Sequence, residues 1–345
     1  MSMETRRRAA ALLEVLGVYL TGAYLNDKLV QWLVHWQIIS STNPFSLLTT
    51  HTTNADLLVA SRQLLLALIL IYFSFFVLIV PLNWWHRRRG TAAYGLCRAG
   101  RPWKGLVLAA IVTSVLTQWP VLVHTLVDVI HPLGPMVPWR QAFFDMSWHR
   151  WQFWLFAGIL SYAVIPVLEE LLFRGYYQRR LAEDWGEGPA IIGVACLFTF
   201  SHPQYLIANA YNVTVIMSLL FLAIGLGTVF AWTRSLIPSM IAHAIINVPL
   251  TPLWQGMLLV VFAIGAVFVW RGGWRAAKQV FRNASTGTCL ALAMILVFYA
   301  VEAHRVNVMT QIAMGMLAVA VCLEAMDRQG ERRRVEVASA SERTI

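Results

Sequence analysis

The chain has 345 residues, of which 58% are hydrophobic and 13% are charged, and its mean hydropathy is +0.61. Apolar runs of about 18 to 25 residues recur along it, which is the length needed to cross a bilayer, so the composition excludes a soluble globular protein. The net charge of +10 does not indicate nucleic-acid binding, because the basic residues form short tracts beside the apolar runs, where they set topology and contact anionic lipid head groups.

The apolar runs, in chain order, predict an all-α polytopic bundle of about ten transmembrane helices. The first run follows a basic tract and imitates a signal peptide, but Glu14 interrupts it, so we expect an uncleaved first span. Glu14 and Arg62 lie near span ends, and we predict interfacial positions for both. The predicted spans are residues 9–24, 57–82, 105–127, 153–173, 189–208, 213–232, 237–252, 257–270, 288–301 and 308–325.

The basic residues indicate how the chain is threaded through the membrane. From a cytoplasmic N-terminus, ten spans place 22 of the 27 Lys and Arg residues, Arg174 and Arg180 among them, on the cytoplasmic side and 5 on the other side. Cytoplasmic loops of membrane proteins carry such an excess of positive charge. Both termini are therefore predicted to be cytoplasmic.

The fourth predicted span carries three charged residues in the sequence VLEELLFRGYYQRR. Each charge near the centre of a span costs about 2.5 to 3.5 kcal/mol. Glu170 and Arg174 are four residues apart, so a helix brings them together as an ion pair that could simply brace the bundle. Glu169 points about 100° away from Glu170 and has Phe173 as its neighbour one turn on, so we expect an unpaired carboxylate suited to acid or base chemistry. Pro166 lies one turn earlier, where a kink would open room beside the glutamates.

Two further spans carry polar groups at a matching depth. Phe198 and His202 are one helical turn apart in the fifth span, and His243 and Asn247 share one face of the seventh. At ~1.5 Å per residue in a hydrocarbon core ~30 Å thick, these groups and Glu169 fall in overlapping layers. We expect one polar cavity open to the cytoplasm, although each histidine taken singly could have a structural role.

The ordered set of motifs resembles the CAAX-protease and bacteriocin-processing (CPBP) family of intramembrane proteases, which includes the type II CAAX prenyl endopeptidases. The resemblance covers roughly residues 151–252. It rests on three motifs in this order: Glu169-Glu170-x-x-x-Arg174, Phe198-x-x-x-His202 and His243-x-x-x-Asn247.

The resemblance implies roles for the motif residues. Glu169 and His202 would activate a water molecule for peptide hydrolysis. His243 and Asn247 would donate hydrogen bonds to the oxyanion of the tetrahedral intermediate. The supporting residues would be Glu170, Arg174, Phe173 and Phe198.

Zinc is an alternative that the sequence leaves open. Two histidines and one glutamate suffice for a catalytic zinc site, and its ligands would be Glu169, His202 and His243. We favour a glutamate mechanism without metal or other cofactor, because the chain lacks an H-E-x-x-H helix and Asn247 is a poor zinc ligand but a good oxyanion donor.

Four segments have different expected roles. Residues 1–104 hold the N-terminal spans and a basic cytoplasmic loop, and residues 105–254 form the catalytic membrane core. Residues 255–326 hold accessory spans, and the charged tail at 327–345 is expected to be disordered.

The predicted function is hydrolysis of a peptide bond in a membrane-associated protein or peptide that carries a lipid, leader or sorting segment. Membrane lipids are the other expected partners, and nucleic acid is not expected. The alternatives are a non-enzymatic scaffold or immunity-type protein of the same fold, and a secondary transporter, which would show matched broken spans in its two halves. Compact loops and the lack of an organelle signal favour a multi-pass protein of the bacterial inner membrane.

Overall fold

The computed structural model describes residues 3–40, 53–86, 138–202 and 210–248, with single residues at 95, 96, 130 and 205 and a few between 253 and 278. Across these described residues the regular structure is entirely helical, which confirms the all-α prediction. The helices are α1 (Met3–His35), α2 (Asn54–Trp85), α3 (Pro138–His149), α4 (Trp151–Gly158), α5 (Leu160–Trp185), α6 (Glu187–Phe200), α7 (Ala210–Thr233) and α8 (Leu236–Asn247).

Three of the described helices are long and apolar enough to cross a membrane, namely α1, α2 and α7. The bent pair α4 and α5 makes a fourth candidate, while α6 and α8 are shorter apolar helices. The third, ninth and tenth predicted spans and most of the eighth lie outside the described residues, as does the tail at 327–345. The number of ten spans and the cytoplasmic termini therefore stay predictions.

The fourth predicted span is two helices at an angle. The axes of α4 and α5 meet at 43° across a break after Gly158, where a Cβ would approach the Trp154 ring to 2.7 Å. The predicted kink at Pro166 is wrong, because the bend lies at the break after Gly158 and Pro166 is the second residue of the α-helical stretch Ile165–Glu170 inside α5. Wider π-helical turns flank that stretch at Leu160–Val164 and Leu171–Gln178, a feature that is frequent at functional sites.

The central part of α5 is enclosed by other helices. Residues 165–178 contact α2, α6, α7 and α8, and the largest apolar cluster joins α5 to α1, α2, α6, α7 and α8. Helices α1 and α2 approach closely where the Phe75 ring lies against Gly22, since a Cβ at position 22 would be 2.3 Å from that ring. This packing places Glu169, Glu170 and Arg174 in the protein interior.

Local sequence features determine where α6 ends and where α8 begins. Helix α6 ends at Phe200, eight residues before the predicted end of the fifth span, because residue 202 precedes a proline, and a residue before proline disfavours the helical conformation. Helix α8 begins after Ser235, whose side chain accepts a hydrogen bond from the backbone N–H of Ile237. His202 therefore lies just beyond the end of α6, whereas His243 and Asn247 lie within α8.

Candidate active site

Glu169 lies on α5 and is 9% exposed. Its Oε1 accepts a hydrogen bond of 2.7 Å from the hydroxyl of Tyr72 on α2, and its Oε2 lies 3.6 Å from Nε2 of His243 on α8. The prediction that this carboxylate is unpaired is wrong, because its partners come from other helices. The sequence showed only the neighbours that Glu169 has on its own helix.

Glu170 is fully buried and connects two of the predicted site residues. Its Oε1 accepts a hydrogen bond of 2.8 Å from Arg174 Nη1 and lies 2.9 Å from His243 Nδ1. The predicted pairing of Glu170 with Arg174 is confirmed. Since a carboxylate held by a guanidinium can only accept, His243 Nδ1 carries the proton of its bond to Glu170. That bond turns Nε2 of His243 toward Glu169.

Arg174 is fixed by two further contacts. Its Nη2 donates a hydrogen bond of 3.2 Å to the carbonyl oxygen of Ala223 on α7, and its guanidinium lies over the Phe198 ring at 4.8 Å. A guanidinium above the face of an aromatic ring is attracted by the π electrons of the ring. The Phe198 ring also packs edge-on against the Phe173 ring.

Phe198 also contacts both histidines. Its ring centre lies 4.9 Å from the ring of His202 and 5.9 Å from the ring of His243. The Nδ1 of His202 lies 2.8 Å from the carbonyl oxygen of Phe198, so Nδ1–H donates and Nε2 is left as an acceptor. Within the part of the chain that the structure describes, no hydrogen bond or ion pair joins His202 directly to Glu169.

Asn247, in the last turn of α8, contacts the first turn of α5. Its Nδ2 donates a hydrogen bond of 3.5 Å to the carbonyl oxygen of Ser161, in the π-helical turns that precede Pro166. A bond of this length is weak. The amide is therefore held loosely, two turns of chain before the glutamates and on the same helix α8 as His243.

The zinc alternative is not supported by the arrangement of these side chains. Among the residues that the structure describes, no group of three or more His, Cys, Asp or Glu could hold a metal ion, and Glu169, His202 and His243 form no such group. We therefore derive no chemical step through a metal.

A second buried polar cluster was missed by sequence reasoning. Glu14 is 2% exposed, so its predicted interfacial position is wrong. Its carboxylate accepts hydrogen bonds from the Tyr176 hydroxyl at 2.6 Å, from Arg180 Nε at 2.8 Å and from His86 Nε2 at 3.0 Å. Arg180 Nη1 in turn binds Asp184 at 2.7 Å. The cluster joins α1, the end of α2 and the end of α5.

The sequence did contain an indication of this cluster. Glu14 interrupts an apolar run, and an ionisable residue inside a span usually has a polar partner in the protein. Helix α1 runs from Met3 to His35, well beyond the predicted span at 9–24, so Glu14 lies inside it. Arg174 and Arg180, which were counted as cytoplasmic charges, are also buried and paired. They contribute to packing and not to the charge of a cytoplasmic loop.

Apolar helices bury two glutamates, an arginine and a histidine around one point, an arrangement expected of an integral membrane protein with a polar functional site. Comparison with known families then names the class: residues 150–249 match the family model described as "Type II CAAX prenyl endopeptidase Rce1-like". This match supports the CAAX-protease family that the three motifs resemble, and with it a protease. No curated protein and no solved structure matches the chain.

The matched segment includes every predicted site residue but not the whole cluster around them. Residues 150–249 hold α4 to α8. They lie within the domain predicted at 105–254, and the match does not include residues 105–149 of that domain. Helices α1 and α2 lie outside the match, although α2 supplies Tyr72 and α1 supplies Glu14.

Proposed function

We propose that this chain is an intramembrane endopeptidase in which Glu169 activates a water molecule. Its substrate would be a membrane-associated protein or peptide bearing a lipid, leader or sorting segment, met in the membrane and not on nucleic acid. The protein would be multi-pass and lie in a bacterial inner membrane. The observation that carries the proposal is the buried arrangement in which Glu170 holds Nδ1 of His243 and thereby presents Nε2 to Glu169.

The proposed reaction begins at the oxygen of Glu169 that faces α8. Oε2 takes a proton from water, and the resulting hydroxide attacks the carbonyl carbon of the substrate. His202 assists from the end of α6, where its Nε2 is available as an acceptor. The proton on Glu169 then passes to the leaving nitrogen as the C–N bond breaks, which restores the carboxylate.

Stabilisation of the oxyanion is assigned to α8. His243 donates from Nε2 when its ring is protonated, and the amide of Asn247 donates after releasing the weak bond to Ser161.

Cleavage of internally quenched peptides by the purified protein in lipid vesicles tests the proposal. The panel holds a farnesylated peptide ending in a CAAX sequence, the same peptide without lipid, and a leader-type peptide. We expect Glu169→Gln to reduce turnover by at least about 100-fold, since removal of a general base typically costs 10²- to 10⁴-fold. Glu183→Gln is the matched control, because Glu183 lies on the same helix with its side chain 40% exposed.

Several outcomes would count against the proposal. Turnover at the wild-type rate by Glu169→Gln would rule out the glutamate mechanism. Loss of turnover after strict chelation, with recovery on adding zinc, would replace it with a metal mechanism. If no peptide is cleaved, membrane-protein termini are compared between cells that carry the wild-type chain and cells that carry Glu169→Gln. Unchanged termini with full complementation by the variant would favour the scaffold function.

A further inference from the structure

Tyr72 is a buried residue whose hydroxyl contacts the proposed general base. It lies on α2, outside the segment 150–249 that matches the protease family, and it is 8% exposed. Its O–H donates a hydrogen bond of 2.7 Å to Oε1 of Glu169, across 97 residues of sequence. This bond is the contact through which α2 reaches the site.

Two other buried tyrosines show that the bond at Tyr72 is not a general requirement of burial. Tyr177 is fully buried, and its hydroxyl has no hydrogen-bond partner within the described part of the chain. Tyr176 donates to a carboxylate as Tyr72 does, at 2.6 Å, but to Glu14 in the cluster on α1. Among these three buried hydroxyls, the partner therefore depends on where the tyrosine lies, and that of Tyr72 is the carboxylate of Glu169.

The bond distinguishes the two oxygens of Glu169. Oε1 is occupied by the phenolic donor, whereas Oε2 faces His243 Nε2 at 3.6 Å, beyond hydrogen-bond length. A carboxylate rotates about its terminal bond unless it is held, because that torsion is broad. A donor on one oxygen therefore fixes which oxygen meets the water.

We propose that Tyr72 is a positioning residue that holds Oε1 of Glu169 and thereby directs Oε2 toward the water and the substrate. The proposal rests on the proposed peptidase function. It assigns to α2 a part in the site that the matched segment alone lacks.

A first experiment needs no substrate. Dicyclohexylcarbodiimide is applied to the full-length protein in lipid vesicles, and modified glutamates are mapped by mass spectrometry. Because the Tyr72 hydroxyl shields Oε1, we expect Tyr72→Phe to increase modification of Glu169 and to leave Glu14 unchanged. Tyr176→Phe is the control and is expected to leave modification of Glu169 unchanged, because the Tyr176 hydroxyl bonds to Glu14. Equal modification of Glu169 in Tyr72→Phe and the wild type would overturn the proposal.

A second experiment separates positioning from a merely structural role. We expect Tyr72→Phe to lower kcat on the cleaved peptide by about 10- to 100-fold, the effect of losing a hydrogen bond to a charged group, with KM unchanged. Tyr176→Phe should lower the thermal stability as much as Tyr72→Phe does, because both variants lose a hydrogen bond to a buried carboxylate, but it should leave kcat unchanged. Tyr177→Phe should change neither the thermal stability nor kcat. A wild-type kcat in Tyr72→Phe, or a loss of kcat that Tyr176→Phe shares, would overturn the proposal.

Two further comparisons cover a Tyr72→Phe protein that does not fold and a failure of the peptidase mechanism itself. If Tyr72→Phe does not fold, 3-fluorotyrosine at position 72 retains the ring and makes the phenol a stronger donor, so carbodiimide modification of Glu169 should fall below the wild-type level there and not with the same replacement at position 176. Unchanged modification of Glu169 in that variant would count against the proposal. If Glu169→Gln is inactive while Tyr72→Phe is fully active, only the role of Tyr72 fails, whereas an active Glu169→Gln protein removes the peptidase mechanism itself.

Discussion

The charged residues of the site are tolerated because each has a partner in a water-poor interior. Glu170 shares one oxygen between Arg174 and His243, and all three side chains are at most 2% exposed. Removing one partner of such a pair leaves the other as an uncompensated buried charge, which costs far more than the pair contributes. The same residues that orient His243 therefore also limit which substitutions the fold survives.

Arg174 is predicted to be essential for stability. Arg174→Ala should lower the free energy of unfolding by about 3 to 5 kcal/mol, because Glu170 loses its guanidinium in the interior. Arg234→Ala is the control, since Arg234 forms its ion pair with Glu187 at a surface where its side chain is 72% exposed, and a surface pair contributes at most about 1 kcal/mol. Denaturant unfolding in detergent micelles measures both. Similar losses in the two variants would show that Arg174 is not held as described.

Buried hydrogen bonds join α1 and α2, which lie outside the matched segment, to α5. Tyr72 links α2 to the middle of α5, and Glu14 links α1 to the end of α5 through Tyr176 and Arg180. Gly22 allows α1 and α2 to lie close together, since any larger side chain there would meet the Phe75 ring. These contacts make α1 and α2 parts of one packed body with α5.

Loss of the Glu14 cluster is expected to weaken this attachment. Glu14→Ala removes the carboxylate between Arg180 and His86 and should cost about 3 to 5 kcal/mol, whereas Glu14→Gln retains hydrogen-bonding capacity and should cost less. Glu4→Ala provides the comparison on the same helix, because the Glu4 side chain is 72% exposed in its pair with Arg8. Thermal unfolding of the three variants reports the difference. If Glu14→Ala is as stable as Glu4→Ala, the Glu14 cluster does not hold α1 against α5.

Across the whole molecule, the described helices account for the first, second, fourth and sixth predicted spans, with shorter helices at the fifth and seventh. Arg174 and Arg180 are buried, so the topology prediction depends on the other basic residues. Those include the tracts at 6–8, 87–89 and 332–334, which lie on the same side of the membrane if the chain crosses ten times.

The threading can be measured directly in a bacterial host. We expect a fluorescent protein fused after residue 345 to fluoresce, and alkaline phosphatase at the same place to be inactive, because both termini are predicted to be cytoplasmic. The same fusions after residue 130, beyond the third predicted span, should give the opposite pair of results. Active phosphatase at the C-terminus would contradict ten spans with both termini in the cytoplasm.

The sequence by itself determined the relations that helical geometry fixes within one segment. Apolar run length predicted membrane helices, and a spacing of four residues predicted the pairing of Glu170 with Arg174, because side chains one turn apart share a face. The order of the three motifs also indicated the family, which the match at residues 150–249 supports.

The tertiary structure alone decided which helices face each other and at what rotation. Tyr72 meets Glu169 across 97 residues, His243 meets Glu170 across 73, and Tyr176 meets Glu14 across 162. No periodicity within a span encodes such contacts, since they depend on how side chains of several helices pack together. For this reason the sequence identified the acid residues of the site, while their hydrogen-bond partners on α2 and α8 became visible only in the folded chain.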